Sequence, residues 1–440
     1  GGRSEGIALL CRVICVLLFV AWTAEGARDT DLYCGLWRSP FQVLSPLIAS
    51  LPGINLSPWQ LALFALAPAC LLRPAGPRGP AWQMNAAIVA SAVSVAVTVL
   101  WGVVRGGSAY DAYFQLWRFL AALLVGALLL VAIRRPRDLK ALGATVVAAA
   151  CVRAALGITF YWVRVHGKID PPPPYMTSHD DSLLFVAALV VVTSWGLERR
   201  RYATWLGAFA VFVLVMYAMV LNNRRLAWIE LVLAFGFGYV LLPPGGWRRR
   251  INRWALALAP AVLLYFAVGW NREGAVFAPV RALSSSGSDE DASSLARLEE
   301  MTNLIYTLTK VGNPLLGTGW GQPYLKVTSV YANFDSSWTQ YLYMPHNSLL
   351  GVAVFGGLVG IFGIWLVVPV AALLAAHGYR RAPPGAVRAA AMAAFCVLPA
   401  YGAQCYGDIG FQSYTGNLIL GVALGVAGRV SAWAEAPGRP

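Results

Sequence analysis

His346 is the side chain in this sequence best suited to take a proton near neutral pH, because imidazole is the one group that titrates there without help. It stands in MPHNSLLGVAVFGGLVG, at the mouth of an apolar run, with Asn347 beside it. Arg224 and Arg225 sit in the tight turn LNNRR, and Arg297 lies in ARLEEM. Guanidinium forks match phosphate oxygens two at a time, so arginines converging at a membrane surface suit a lipid-linked diphosphate. The plainer alternative makes His346 a helix cap and the arginines anchors that snorkel to lipid phosphates. Arg118 and Arg153 fall within apolar runs, where an ionised group needs a partner or water. Arg153 reads as half of an internal salt bridge. Glu230, about one turn below Arg225, is a candidate partner for that arginine. The other histidines offer less: His166 and His179 lie in a Pro-rich connection, and His377 lies at the opposite membrane face. Asp170, Asp180, Asp181, Asp335 and Asp408 are scattered along the chain, a weak basis for paired-carboxylate chemistry. No metal-ligand spacing is present.

The elements that must hold these groups are membrane helices. The 440 residues are 58% hydrophobic and only 12% charged, with a mean hydropathy of +0.61. A water-soluble domain carries about twice that charge. The apolar residues come in runs of roughly 18 to 23, enough to cross hydrocarbon as a helix, and strand-like alternation is absent. The expected fold is therefore all-α and polytopic. About twelve transmembrane helices are expected, near 7–25, 57–72, 82–104, 112–133, 141–163, 182–197, 203–221, 226–242, 254–270, 348–376, 387–403 and 416–433.

The net charge of +14 does not signal nucleic acid, because the arginines cluster between apolar runs. Arg73 and Arg78, Arg134 to Lys140, Arg199 to Arg201, Arg248 to Arg253, and Arg380 to Arg388 fall on alternate connections. The positive-inside rule makes that face cytoplasmic and puts both termini there. The first run is read as a retained helix, although AWTAEGA also suits a cleaved signal peptide. The segment 32–54 is too broken by proline to span and is expected at the interface. The seven cysteines form no CxxC pair; Cys34 and Cys405 share the outer side, where a bridge is open.

This divides the chain into nine helices over 1–270, a large outer loop over 271–347 and three helices over 348–440. Within the loop, Ser288 to Asp291 offers a helix N-cap. Leu295, Leu298, Met301, Leu304, Ile305 and Leu308 follow at helical spacing, which predicts an amphipathic helix on the membrane surface. The glycines of GTGWGQ follow no strand and lack the Lys-Ser/Thr of a P-loop; they read as turns bringing backbone close to the membrane or to a sugar. Tyr324, Tyr331, Phe334, Trp338, Tyr341 and Tyr343 make either an interfacial belt or a stacking surface for sugar rings.

Three stretches resemble the O-antigen ligase and polymerase superfamily of bacterial envelope glycosyltransferases. NRRLAW at Asn223 to Trp228 is similar to the family's Ser-Arg-x-x-Trp element, with Asn-Arg-Arg standing where Ser-Arg is usual. ARLEEMTNLIYTLTKVGNPLLGTGWGQ resembles its Arg-bearing loop helix followed by Pro-x-x-Gly-x-Gly. PHNSLLGVAVFGGLVG resembles its His-Asn-x-x-Leu start of a glycine-dotted helix. The likeness covers roughly residues 200 to 365.

The resemblance implies a GT-C-like membrane fold in the bacterial inner membrane, with the active site on the periplasmic side. It implies an inverting, metal-independent transfer that needs no cofactor. The donor would be an undecaprenyl-diphosphate-linked glycan, and the acceptor another glycan or lipid A-core. Carried over, Arg225 and Arg297, with Arg224 as the other choice in the turn, would hold the diphosphate, and His346 would be the base. Asn347, Arg118 and Glu230 are supporting candidates. A polymerase of the same superfamily and a lipid-linked glycan flippase are the competing readings. Discontinuous helices paired between two halves, as many transporters have, are not evident in the sequence.

Overall fold

Long runs of Leu, Val, Ala and Ile without a polar stripe must satisfy every backbone N–H and C=O internally, which a helix does within one segment. The computed structural model describes residues 2–25, 62–66, 68, 81–170, 173, 175–199, 201–272, 275–277, 279–280, 292–328 and 342–434. Most of the second predicted span, the segment 32–54 with Cys34, the Ser288–Asp291 cap, Asp335, and Tyr331, Phe334, Trp338 and Tyr341 lie outside the described residues.

Among the described residues the chain is all-α. The helices are α1 (Gly2–Val20), α2 (Trp82–Val104), α3 (Ala109–Ala132), α4 (Pro136–Phe160), α5 (Asp181–Arg199), α6 (Tyr202–Asn222), α7 (Arg225–Leu241) and α8 (Gly246–Gly269). A loop helix, α9 (Ala292–Lys310), follows, then α10 (Ser348–Gly363), α11 (Val367–Arg381), α12 (Ala386–Gly407) and α13 (Tyr414–Ala434). Among the described residues, nine spans are long and apolar enough to cross a membrane, α10 and α11 counting as one. The protein is a polytopic α-helical membrane protein.

α13 is the packing centre. It lies along α3, α11 and α12, and α12 in turn packs on α5 and α7. Small residues permit this closeness: a Cβ at Gly421 would stand 2.7 Å from the Ala122 carbonyl oxygen of α3. α8 sits at the periphery, with only Gly269 fully buried and Leu256, Leu263 and Leu264 exposed to the surroundings.

Cross-links sort the connections by membrane face. Ala81 N–H reaches the Gly428 carbonyl, and Arg388 pairs with Glu198 at 3.2 Å, at the arginine-rich end. At the other end Phe411 N–H donates to Ser348 Oγ, and Gln115 Nε2 donates to the Tyr343 carbonyl. Arg153 forms the internal salt bridge its position suggests: Nε and Nη2 reach the two oxygens of Asp181 at 2.8 and 2.7 Å. Cys405 is a buried free thiol.

One expected span departs from a plain helix. The run 348–376 breaks at Gly357, whose φ of 57° and ψ of −149° leave the helical region. Such a break strands backbone groups in an apolar setting. The glycine-rich loop takes them up: Leu358 and Val359 N–H donate to the carbonyls of Pro314 and Leu315. Thr318 and Gly319 N–H donate to Val354 and Phe355. The loop is also tied to α2, where Trp320 N–H meets the Thr98 carbonyl and Trp101 Nε1 donates to Gly317. Trp320 is 1% exposed and stacks on Phe411. The glycines thus bring backbone into the helix bundle itself, and a discontinuous helix absent from the sequence reading is present.

Candidate functional site

α9 positions the first part of the site with its polar face. Of the predicted apolar stripe, Leu298 is 61% and Ile305 49% exposed, while Leu308 packs on the core. Glu300, Asn303 and Thr307 are buried, together with Leu304. Buried polar groups must find partners, and these hold the chain that follows. Asn303 Oδ1 accepts from the N–H groups of Val327 and Thr328, and Thr307 Oγ1 accepts from Leu325 N–H. The helix is therefore a bracket for residues 324–328. Tyr324, one of the six aromatics, is buried in that bracket.

Glu300, three residues after Arg297, carries the bracket into the chemistry. Its Oε2 lies 2.9 Å from His346 Nδ1, and its Oε1 accepts from Asn347 N–H at 3.2 Å. Asn347 caps α10 by accepting from Leu350 N–H. A carboxylate can only accept, so Nδ1 carries the proton in this pair and Nε2 keeps the lone pair. The imidazole is three-quarters buried, in a setting that fixes its ring and tautomer.

The cations come from the α6–α7 turn. Asn223 ends α6 in the left-handed region, at φ 48°, and Arg224 becomes the N-cap of α7. Asn222 Oδ1 accepts from the N–H groups of Met176 and Thr177, which lays the Pro-rich connection over this turn. Tyr175 on that connection meets the Arg224 guanidinium, 3.4 Å from ring centroid to Cζ. Burial lowers the affinity of Arg224 for its proton; Tyr175, Asp408 and Asp180 oppose this, and the charge of Arg297 adds to it. Arg224 and Arg297 are therefore close enough to repel, an arrangement an anion would relieve. Arg225 and Arg297 are exposed.

Asp408, at the end of α12, joins the two halves. Burial raises its pKa, but His179, the Ile409 N–H, His346 and Arg224 outweigh that and hold it below the ordinary value. His179 stands 3.4 Å from Asp180. Burial disfavours its charged form, yet Asp408 and Asp180 bring its pKa above the ordinary value, against Arg224 and with Asp181 adding. The turn bearing Asp408 is pinned by Asn417, whose Nδ2 donates to the carbonyls of Gly410, Phe411 and Ser413.

The structure thus brings His346, Asn347, Arg224 and Arg297 to one end of the bundle, where Asp408 feels the charges of His346 and Arg224, and Arg224 that of Arg297. Arg118 lies instead against the rings of Phe114 and Trp117 on α3. Glu230 makes no hydrogen bond to Arg225; it is fully buried, near Asp408 and Asp180. Three groups escaped the sequence reading: Glu300, the His179–Asp180 pair and Asp408. For Glu300 a signal existed, since 300, 303 and 307 form a polar stripe at helical spacing. For the others none did, because His179 and Asp408 come within electrostatic reach only through helix packing. Among the described residues, no three His, Cys, Asp or Glu side chains are grouped as a metal site.

The described residues make a polytopic helical membrane protein with a histidine–carboxylate pair and two arginines toward one end of the bundle. Residues 210–365 match the family model described as O-antigen ligase, so this part of the chain is similar to that family. The match runs from α6 into the segment between α10 and α11 and includes Arg224, Arg225, Arg297, Glu300 and His346. It implies a glycosyltransferase-like activity on a lipid-linked glycan and an acceptor. No curated protein matches the chain.

Proposed function

We propose that this protein transfers a glycan from an undecaprenyl-diphosphate carrier to a sugar hydroxyl on lipid A-core, at the periplasmic face of the bacterial inner membrane. The observation that carries the reading is the shared environment of Asp408, which feels both His346 and Arg224 while Arg224 feels Arg297. A sugar diphosphate is the kind of anion that such arginines would hold beside a base.

His346 Nε2 takes the acceptor proton as the acceptor oxygen bonds to the anomeric carbon. The bond from that carbon to the diphosphate oxygen breaks, and its electron pair leaves with the undecaprenyl diphosphate. Attack from the face opposite the leaving group inverts the anomeric centre. Glu300 holds the imidazole in the reactive tautomer and balances the imidazolium that forms, as the carboxylate of a catalytic triad does. Arg224 and Arg297 neutralise charge on the leaving diphosphate, the largest kind of assistance this reaction needs. Diphosphate is already a good leaving group, so the transfer runs without metal, nucleotide or other cofactor.

The test is reconstitution of the purified protein with lipid-linked glycan and lipid A-core in the presence of chelator. The expected result is a glycan–lipid A-core product identified by mass, lost in His346→Ala. Full activity in that variant would remove the proposed base. A product built only on a second carrier-linked glycan would make the protein a polymerase.

A further inference from the structure

An apolar cavity lies in the half of the bundle nearest the arginine-rich end. It has a volume of about 680 Å³ and is lined by α4, α5, α6, α12 and α13. That size falls within the range of roughly 300–1,000 Å³ typical of small-ligand pockets. Its wall is almost wholly Ala, Val, Leu and Gly, with Val147, Val191, Val211 and Val426 among them. The polar part of the lining is at one end, where Lys140 and Trp195 stand. Lys140 Nζ lies 5.7 Å from the Trp195 ring, and the Arg199 guanidinium lies 4.7 Å from the same ring. One tryptophan therefore holds two exposed cations at the cavity mouth. Gly207 keeps the interior open: a Cβ there would meet nothing within 4 Å.

An apolar chamber with paired cations at its membrane-surface end has the polarity of an anionic lipid. We propose that this cavity binds an anionic glycerophospholipid of the cytoplasmic leaflet, an acyl chain in the chamber and the phosphate on Lys140 and Arg199. The cytoplasmic leaflet is rich in such lipids, and each basic residue near its surface adds about 1 kcal/mol to their attraction. Bound there, the lipid would fill a gap between α4, α6 and α12 that the side chains leave unpacked. It would act on helix packing, at the membrane face opposite the transfer site.

The test is native mass spectrometry of the full-length protein from detergent containing phosphatidylglycerol, phosphatidylcholine or undecaprenol. Wild type is expected to retain one phosphatidylglycerol in preference to the other two. K140Q/R199Q should reduce retention about 10-fold or more, the two charges acting together. Gly207→Leu should weaken it by intruding on the chamber, while transfer of glycan persists as evidence of folding. Equal retention of phosphatidylcholine or undecaprenol would overturn the proposal. So would phosphatidylglycerol binding to Gly207→Leu as well as to wild type.

Discussion

His346 Nδ1 and Glu300 Oε2 stand 2.9 Å apart, although 46 residues separate them in the chain. One residue opens α10 and the other lies on the buried face of α9, so the contact closes the loop onto the bundle. Glu300→Ala is expected to lower kcat between about 10² and 10⁴-fold, the range for losing an acid–base function or its orienting carboxylate. KM for the lipid-linked donor should stay within about twofold, because Glu300 touches the base and not the diphosphate. Steady-state kinetics with Glu300→Asp, which restores part of the activity if the carboxylate is what counts, separate this role from a merely structural one.

Arg224 is held over Tyr175 and feels the charge of Arg297. Arg224→Ala should raise the donor KM by about 10-fold, and Arg224→Lys should not restore it, since an ammonium cannot fork two phosphate oxygens. Arg225→Ala should be the milder change. Titration of donor binding to the three variants decides which arginine of the turn meets the diphosphate.

The His179–Asp408 pairing gives the fold a pH dependence. The pKa of His179 is raised above its ordinary 6.5 when folded. Its stabilisation is therefore complete below about pH 6.5 and is lost as pH rises through the folded value. Asp408 is shifted downward from 3.8, so its stabilisation is present above that pH and disappears only as acid titrates the folded carboxylate. Melting curves between about pH 5 and 9 should show wild type losing Tm on the alkaline side. His179→Gln should lose that slope.

Breaking the Arg153–Asp181 pair should destabilise strongly. Both side chains are 1% exposed, so Arg153→Met takes its arginine partner from a buried carboxylate, at a cost of about 3–5 kcal/mol. The double variant Arg153→Met/Asp181→Leu removes both charges and should recover most of that loss. Thermal melts in detergent compare the two.

Gly319 lies at φ 89°, and a Cβ there would collide with the Gly102 backbone of α2. Gly319→Ala should cost about 1–3 kcal/mol for the backbone conformation alone. It should also loosen the loop from α10. Faster amide exchange at Leu358 and Val359, whose N–H groups bond to that loop, is the local readout.

Much of this protein is determined by its sequence alone. Apolar runs of membrane length can only become helices, because nothing in hydrocarbon will satisfy an exposed backbone. Arginine clusters on alternate connections order those helices across the bilayer, and motif spacing marks His346, Arg297 and the Arg224–Arg225 turn. What tertiary structure decided is which groups meet. The run at 348–376 has no internal signal that Gly357 will break it, since the break is tolerable only when Pro314 to Gly319 supply the missing hydrogen bonds. α9 reads as an apolar stripe for the membrane, yet its polar stripe is buried, because Asn347 and residues 325–328 bring the partners that make burial of Glu300, Asn303 and Thr307 favourable. Asp180 and Asp408 look scattered along the chain, and only the packing of α12 against α5 and α7 lets both act on His179. Local pattern sets where a segment sits in the membrane; long-range contact sets which charges face each other, and that information is spread over helices distant in the chain.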